Sequence, residues 1–133
     1  MSELPKPVNP SDWPPPRGFS NAMVAEGRII TLAGQVGWDP IVQELVSSDF
    51  VQQARQALAN LLTALEAAGG KAANLVRLTW FITDRDAYLS SLKELGKAYR
   101  DEIGNHYPAM SVVIVAGLLE SNAKVEIEAT AVL

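Results

Sequence analysis

Cysteine is absent from this chain of 133 residues. Disulfides, thiolate nucleophiles and cysteine-ligated zinc are absent with it. Histidine occurs once, at His106, and a single imidazole without thiols does not compose a metal site. We expect no metal and no cofactor. Basic residues (11) are outnumbered by acidic ones (15), for a net charge of −4, and they form no run. The electrostatic footprint of a nucleic-acid groove is therefore missing. No apolar run approaches the ~20 residues that span a bilayer, and the first residues lack the basic-then-apolar order of a signal peptide. A cytoplasmic protein with neither nucleic acid nor membrane as partner is the expectation. Walker and dinucleotide fingerprints are lacking, and no Ser-His-Asp arrangement follows from spacing.

What is present describes one globular domain with one core, at 48% apolar residues. Six of the eight prolines fall in residues 1–17. That segment reads as an extended arm on the surface, or as a polyproline ligand for a partner. Trp13 suggests that it docks, since an indole is costly to leave in water. Residues 18–133 read as the domain proper.

Residues 19–25 and 28–34 are strand candidates joined by a tight Glu26-Gly27 turn. Gln35 to Pro40 is an irregular loop, and residues 41–48 read as extended. Residues 49–68 form the clearest helix. Asp49 and Gln52 suit a capping box, Phe50, Ala54, Ala57, Leu58, Leu61 and Leu65 form a stripe, and Gly69-Gly70 stops it. Residues 75–83 alternate as a strand, and residues 86–103 carry a second helical stripe through Leu89, Leu92, Leu95, Tyr99 and Ile103. Residues 110–116 are apolar on both faces, as in a strand buried on both sides. Residues 123–131 alternate strictly, with Val125, Ile127, Ala129 and Ala131 on one face and Lys124, Glu126, Glu128 and Thr130 on the other. Two helices cover only one face of such a sheet, so the other face is expected to bury itself against copies of the chain.

Each candidate site residue has a plain alternative. His106 suits proton transfer near neutrality, or is a hydrogen-bonded loop residue. Glu126 sits on a solvated face, unless that face is an interface, where a part-buried carboxylate can orient water. Gly34 and Gln35 end a strand where backbone can approach a ligand closely. Trp38 is a lid, or an anchor for its loop. Trp80 reads as core.

Gly18-Phe19-Ser20-Asn21-Ala22, Ala33-Gly34-Gln35, the Gln-Ala-Leu-Ala-Asn of residues 56–60, Ala68-Gly69-Gly70, Pro108-Ala109-Met110 and Val125-Glu126-Ile127-Glu128-Ala129 occur here in the order of the RidA (YjgF, endoribonuclease L-PSP) family, which this chain resembles. The resemblance implies an α+β, chorismate-mutase-like fold, with two helices on one face of a mixed sheet. It also implies a homotrimer with small-molecule sites between subunits, and deamination of enamines or imines. The family's substrate-clamping arginine is replaced by Met110, its tyrosine by Phe19, its serine by Ala33 and its cysteine by Val112. The water-orienting glutamate is kept as Glu126. The chain thus looks like an arginine-lacking branch similar to 2-aminomuconate deaminase, from aromatic-compound degradation. Glu126 and His106 would act on water and proton, and Phe19, Gly34, Gln35, Trp38 and Met110 would bind substrate. A non-catalytic small-molecule sensor is the alternative. Ribonuclease activity, from the old family label, is disfavoured by the acidic charge.

Overall fold

The computed structural model describes residues 3–133. The helix expected at 49–68 is α1 (Phe50–Ala67), and its boundaries are local chemistry. Asp49 caps it, accepting from the Gln52 N–H at 3.0 Å. The reciprocal half of the capping box does not form, because the Asp49 N–H donates to Ser47 Oγ at 2.9 Å. At the other end Gly69 takes φ +93°, a left-handed stop that glycine adopts without strain. The stripe Phe50, Ala54, Ala57, Leu58, Leu61 and Leu65 is buried.

Four strands make the main sheet, in the order β3 (Ile29–Val36), β8 (Val125–Val132), β6 (Leu75–Ile82) and β7 (Ala109–Ile114). The β6–β7 pair is parallel and the other two pairs are antiparallel. The alternation expected along β8 holds: Val125, Ile127, Ala129 and Ala131 are buried against α1, while Glu126, Glu128 and Thr130 face the uncovered side. Leu78, Trp80 and Ile82 of β6 join that core. A register shift between Leu75 and Arg77 buries Leu75 at the start of the strand and leaves Val76 only half-buried.

Three expectations need correction. The turn at Glu26-Gly27 does not close a hairpin. β2 (Ala22–Val24) pairs instead with β1 (Lys6–Val8) of the arm, and β3 pairs with β8. Gly27 is still demanded, by a φ of +140° and because a Cβ there would meet the Leu133 carbonyl oxygen at 1.7 Å. Residues 41–48 are mostly turn, with a two-residue β5 (Glu44–Leu45) paired to β4 (Trp38–Asp39). The second helix is two helices, α2 (Arg85–Ser90) and α3 (Leu92–Glu102), broken at Ser91, so three helices rather than two flank the sheet. Ser90 Oγ donates back to the Ala87 carbonyl at 3.2 Å, the local competition by which serine interrupts helices. Leu89 and Leu92 of the expected stripe are exposed, at 45% and 52%. Within the single chain β7 is an edge strand, and Val113 is 42% and Ile114 52% exposed.

α3 is pinned to α1 by Arg55, which meets Asp101 at 3.0 Å and Glu102 at 3.6 Å. Hydrogen bonds from Lys97 and Arg55 hold the Asp101 carboxyl below its usual range.

Candidate functional site

Two clefts collect the candidate residues, at opposite edges of the sheet. The first, of about 450 Å³, lies at the β3 edge and is lined by Gly34, Gln35, Trp38, Asn60, Leu119 and Glu126, among others. Its construction begins with a bulge. The β3–β8 register shifts between Leu32 and Gln35, so Ala33 and Gly34 leave the ladder. The Glu126 side chain lies across that opening: a Cβ on Gly34 would stand 2.7 Å from Glu126 Oε2. The glycine is thus the space in which the carboxylate rests.

The rim of this cleft is tied to α1. Asn60 Nδ2 donates to the carbonyls of Trp38 (2.8 Å) and Val36 (3.3 Å), while Gln56 Nε2 donates to Asn60 Oδ1 at 2.9 Å. The Gln-Ala-Leu-Ala-Asn stretch therefore holds the Trp38 loop by its first and last residues. Gly37 is buried where a Cβ would meet Gln53 Cα at 2.5 Å, which seats the same loop on the helix backbone. Gln53 is itself buried with every polar atom satisfied. Its Nε2 donates to Ser47 and Asn122 carbonyls, and its Oε1 accepts from the Lys124 N–H at 2.7 Å, two residues before Glu126. One helix thus sets both the rim and the start of the strand that carries the carboxylate.

The second cleft, of about 380 Å³, lies at the β7 edge and contains Phe19 and Met110. They meet because two distant motifs are stitched together. The Ser20 N–H donates to Pro108 O (3.1 Å), Ser20 Oγ donates to Tyr107 O (2.6 Å), and Ser20 bridges Ala109. Behind them Tyr99 stacks on Tyr107 at 5.3 Å and donates its hydroxyl to the His106 carbonyl at 2.6 Å. Burial, with the neighbouring Tyr107 adding to it, raises the Tyr99 hydroxyl well above its ordinary pKa; burial likewise raises Tyr88.

His106 lines neither cleft. Its Nε2 is 2.7 Å from the Leu75 carbonyl, and since a carbonyl only accepts, that nitrogen carries a proton. Leu75 pairs with Ala131, five residues along β8 from Glu126. That separation is about 17 Å at the rise of a strand. Within one chain, then, the structure gathers Glu126, Gly34, Gln35 and Trp38 in one place and Phe19 with Met110 in another. It leaves His106 apart from Glu126. Sequence reasoning gave no role to Asn60, although the motif containing it was visible. It also missed Tyr88, Leu92, Tyr99 and Arg100, which line the second cleft from either side of the break at Ser91.

A family model described as Endoribonuclease L-PSP matches residues 11–133. The chain belongs to this family. Among L-PSP relatives, the human 2-iminobutanoate/2-iminopropanoate deaminase is 32% identical over 114 residues, covering 86% of this chain and 79% of the human protein. A RutC family protein of Pyrococcus horikoshii is 31% identical over 127 residues, covering 96% of this chain and 90% of that protein. The crystal structure of the Rid family protein YyfB from Yersinia pestis, a protein of unknown function, superposes with a TM-score of 0.88 at 33% identity, covering 98% of this chain and all of that one. The L-PSP family therefore includes imine deaminases. Among the described residues no helix is long and apolar enough to cross a membrane, and no group of three or more metal-ligating side chains occurs.

Proposed function

We propose that this protein is an enamine/imine deaminase whose sites form between subunits of a chorismate-mutase-like homotrimer. The observation that carries the reading is the division of the candidate residues between opposite sheet edges. β3 and β7 are separated by three strand spacings, about 14 Å. A second copy that sets its β7 edge beside the first copy's β3 edge joins Phe19 and Met110 to Glu126. Such a head-to-tail contact closes into a three-membered ring when each copy is rotated by a third of a turn from the last. The exposed Val113 and Ile114 of β7 and the uncovered face of β8 supply apolar and polar surface for it.

The chemistry follows from Glu126. An enamine R–C(NH2)=CH–R′ takes a proton on carbon to become the imine, water adds to the imine carbon, and the tetrahedral adduct expels ammonia to leave the ketone. Glu126, lying over the bulge, orients and deprotonates the water. With Met110 where the L-PSP relatives that deaminate small imino acids are expected to carry arginine, the substrate is a larger unsaturated amino acid of the 2-aminomuconate kind. RNA hydrolysis finds little support, since the two clefts together offer only the guanidinia of Arg17 and Arg100.

The test is complementation. Glu126→Gln and Met110→Glu each disable one half-site, and neither purified variant is expected to release ammonia from an enamine amino acid. Mixed subunits that regain activity support a shared site. Two assembled but non-complementing variants, or a stable wild-type monomer in light scattering, refute it. Wild type that releases ammonia from no enamine turns the reading toward a ligand-binding protein.

A further inference from the structure

The cleft at the β7 edge carries recognition chemistry that the hydrolytic step leaves unused. Phe19, Tyr88, Tyr99 and Met110 line it together with the indole of Trp80. Trp80 is 5% exposed, and its Nε1–H finds no acceptor among the described residues. A desolvated donor without a partner is disfavoured, and an acceptor supplied from outside would satisfy it. Met110 sits diagonally across the β6–β7 ladder from Trp80 on the same face, and its unbranched side chain is easily displaced.

Arg17 and Arg100 stand in the same lining. Among the described residues neither guanidinium has an ion-pair partner, whereas Arg55 is paired to Asp101 and Glu102. Arg100 lies over an unusual residue of α3. Gly96 lies inside that helix without a positive φ, where glycine lowers helix stability for no conformational return. A Cβ at Gly96 would be 3.1 Å from Arg100 Nη1. The guanidinium lies where the missing side chain would crowd it.

We propose that this cleft binds the tail of a flat conjugated carboxylate, aromatic or dienyl. Arg100 and Arg17 take the carboxylate at the mouth, the ring or diene lies between the aromatic side chains, and Trp80 donates once Met110 moves aside. A guanidinium fork matches a carboxylate in geometry as well as charge. The assignment rests on the proposed function in taking this cleft as half of the substrate site, and it names the substrate class.

Benzoate is the probe, with benzamide as its uncharged counterpart and acetate as a carboxylate without the ring. Titrations are run on wild type and on Glu126→Gln, whose clefts are intact but whose chemistry is not. Benzoate is expected to bind at least about tenfold more tightly than either control, the lower end of one charge-assisted hydrogen bond. It is also expected to move the Trp80 indole N–H resonance, assigned by its loss in Trp80→Phe. Arg100→Met erases the preference for benzoate over benzamide. Equal affinities for benzoate and benzamide, or a preference that survives in Arg100→Met, overturn the proposal, as does acetate binding as tightly as benzoate. Should Arg100→Met fail to fold, Arg17→Met and Gly96→Ala serve, the latter shifting the guanidinium without removing it. Unchanged benzoate affinity in both overturns the proposal. Wild type that deaminates short imino acids yet ignores benzoate defeats the ligand class alone. Benzoate binding without ammonia release from any enamine defeats the deaminase alone.

Discussion

The two edges of the sheet are built on different plans. At the β3 edge the cleft is shaped by backbone: a bulge at Ala33-Gly34, a loop seated on α1 through Gly37, and carbonyls of Val36 and Trp38 held by Asn60. At the β7 edge it is shaped by side chains, aromatic and long, projecting from the broken pair α2–α3 and from β7. Backbone is stiff and shapes the opening in which one carboxylate lies, which suits the water-orienting role proposed for it. Aromatic rings, methionine and arginine adapt, and recognition of an extended molecule tolerates that. The difference suggests that chemistry sits at one edge and selection at the other.

The largest effect that sharpens this division is expected from Glu126→Gln. It should lower turnover by about 10² to 10⁴, the range for a lost acid–base group, with oligomeric state and unfolding temperature nearly unchanged. Near-normal ammonia release from an assembled mutant removes Glu126 from the chemistry and with it the distinction between the edges.

Next come the two glycines of the β3 edge, which separate site from scaffold. In Gly34→Ala the new Cβ meets only the end of the Glu126 side chain, at 2.7 Å from Oε2. The carboxylate swings away, and kcat/KM is expected to fall about 10- to 100-fold with little change in stability, as for a misplaced catalytic group. In Gly37→Ala the Cβ meets Gln53 Cα at 2.5 Å, which is backbone and cannot yield. That variant is expected to lose stability by about 1–3 kcal/mol, as for overpacking. Equal thermal shifts in the two variants would refute the assignment of different roles.

These positions also show where sequence reading reached and where it stopped. α1 was legible because everything that bounds it is within a few residues: the Asp49 cap, the apolar stripe, the Gly69 stop. β8 was legible because strict alternation leaves one way to bury Val125, Ile127, Ala129 and Ala131. The pairing of β2 with the arm was not, because a Glu-Gly turn makes a local hairpin and no local signal announces that Lys6–Val8 will compete for the strand. The break at Ser91 was hidden by a stripe whose leucines continue through it. For the site, the residue types were readable and their grouping was not. Phe19, Met110 and Glu126 are all candidates by sequence, but their separation to opposite edges depends on strand order, which is non-local.

A smaller effect is expected from Asn60→Ala. Two carbonyls lose their amide donor, costing about 0.5–1.5 kcal/mol for each bond, with the longer 3.3 Å bond to Val36 at the low end. Because the Trp38 loop loosens while Glu126 keeps its bulge, KM should rise more than kcat falls. Steady-state kinetics on the favoured enamine reads the split. A fall confined to kcat would mean that Asn60 acts on the carboxylate instead of on the rim.

The smallest effect has the opposite sign and belongs to the other edge. Gly96 is an interior residue of α3, and replacing an interior glycine by alanine favours the helix by about 0.5–1 kcal/mol. The crowding it introduces is against Arg100 Nη1 at 3.1 Å, the far end of a flexible side chain, so little of that gain is lost to strain. Gly96→Ala should therefore raise the unfolding temperature by a few degrees, on the order of 2–8 °C for a domain of this size, while pushing the guanidinium off its place over Gly96. A residue kept for stability alone would give either no gain or no change in ligand affinity. A protein that becomes more stable and binds conjugated carboxylates more weakly shows that the glycine serves recognition at the expense of the helix. Differential scanning calorimetry with and without benzoate reads both quantities on one sample. The ligand-free transition should move up, and the further rise that benzoate gives wild type should shrink. If that rise is the same in wild type and variant, Arg100 does not read the ligand from its place over Gly96.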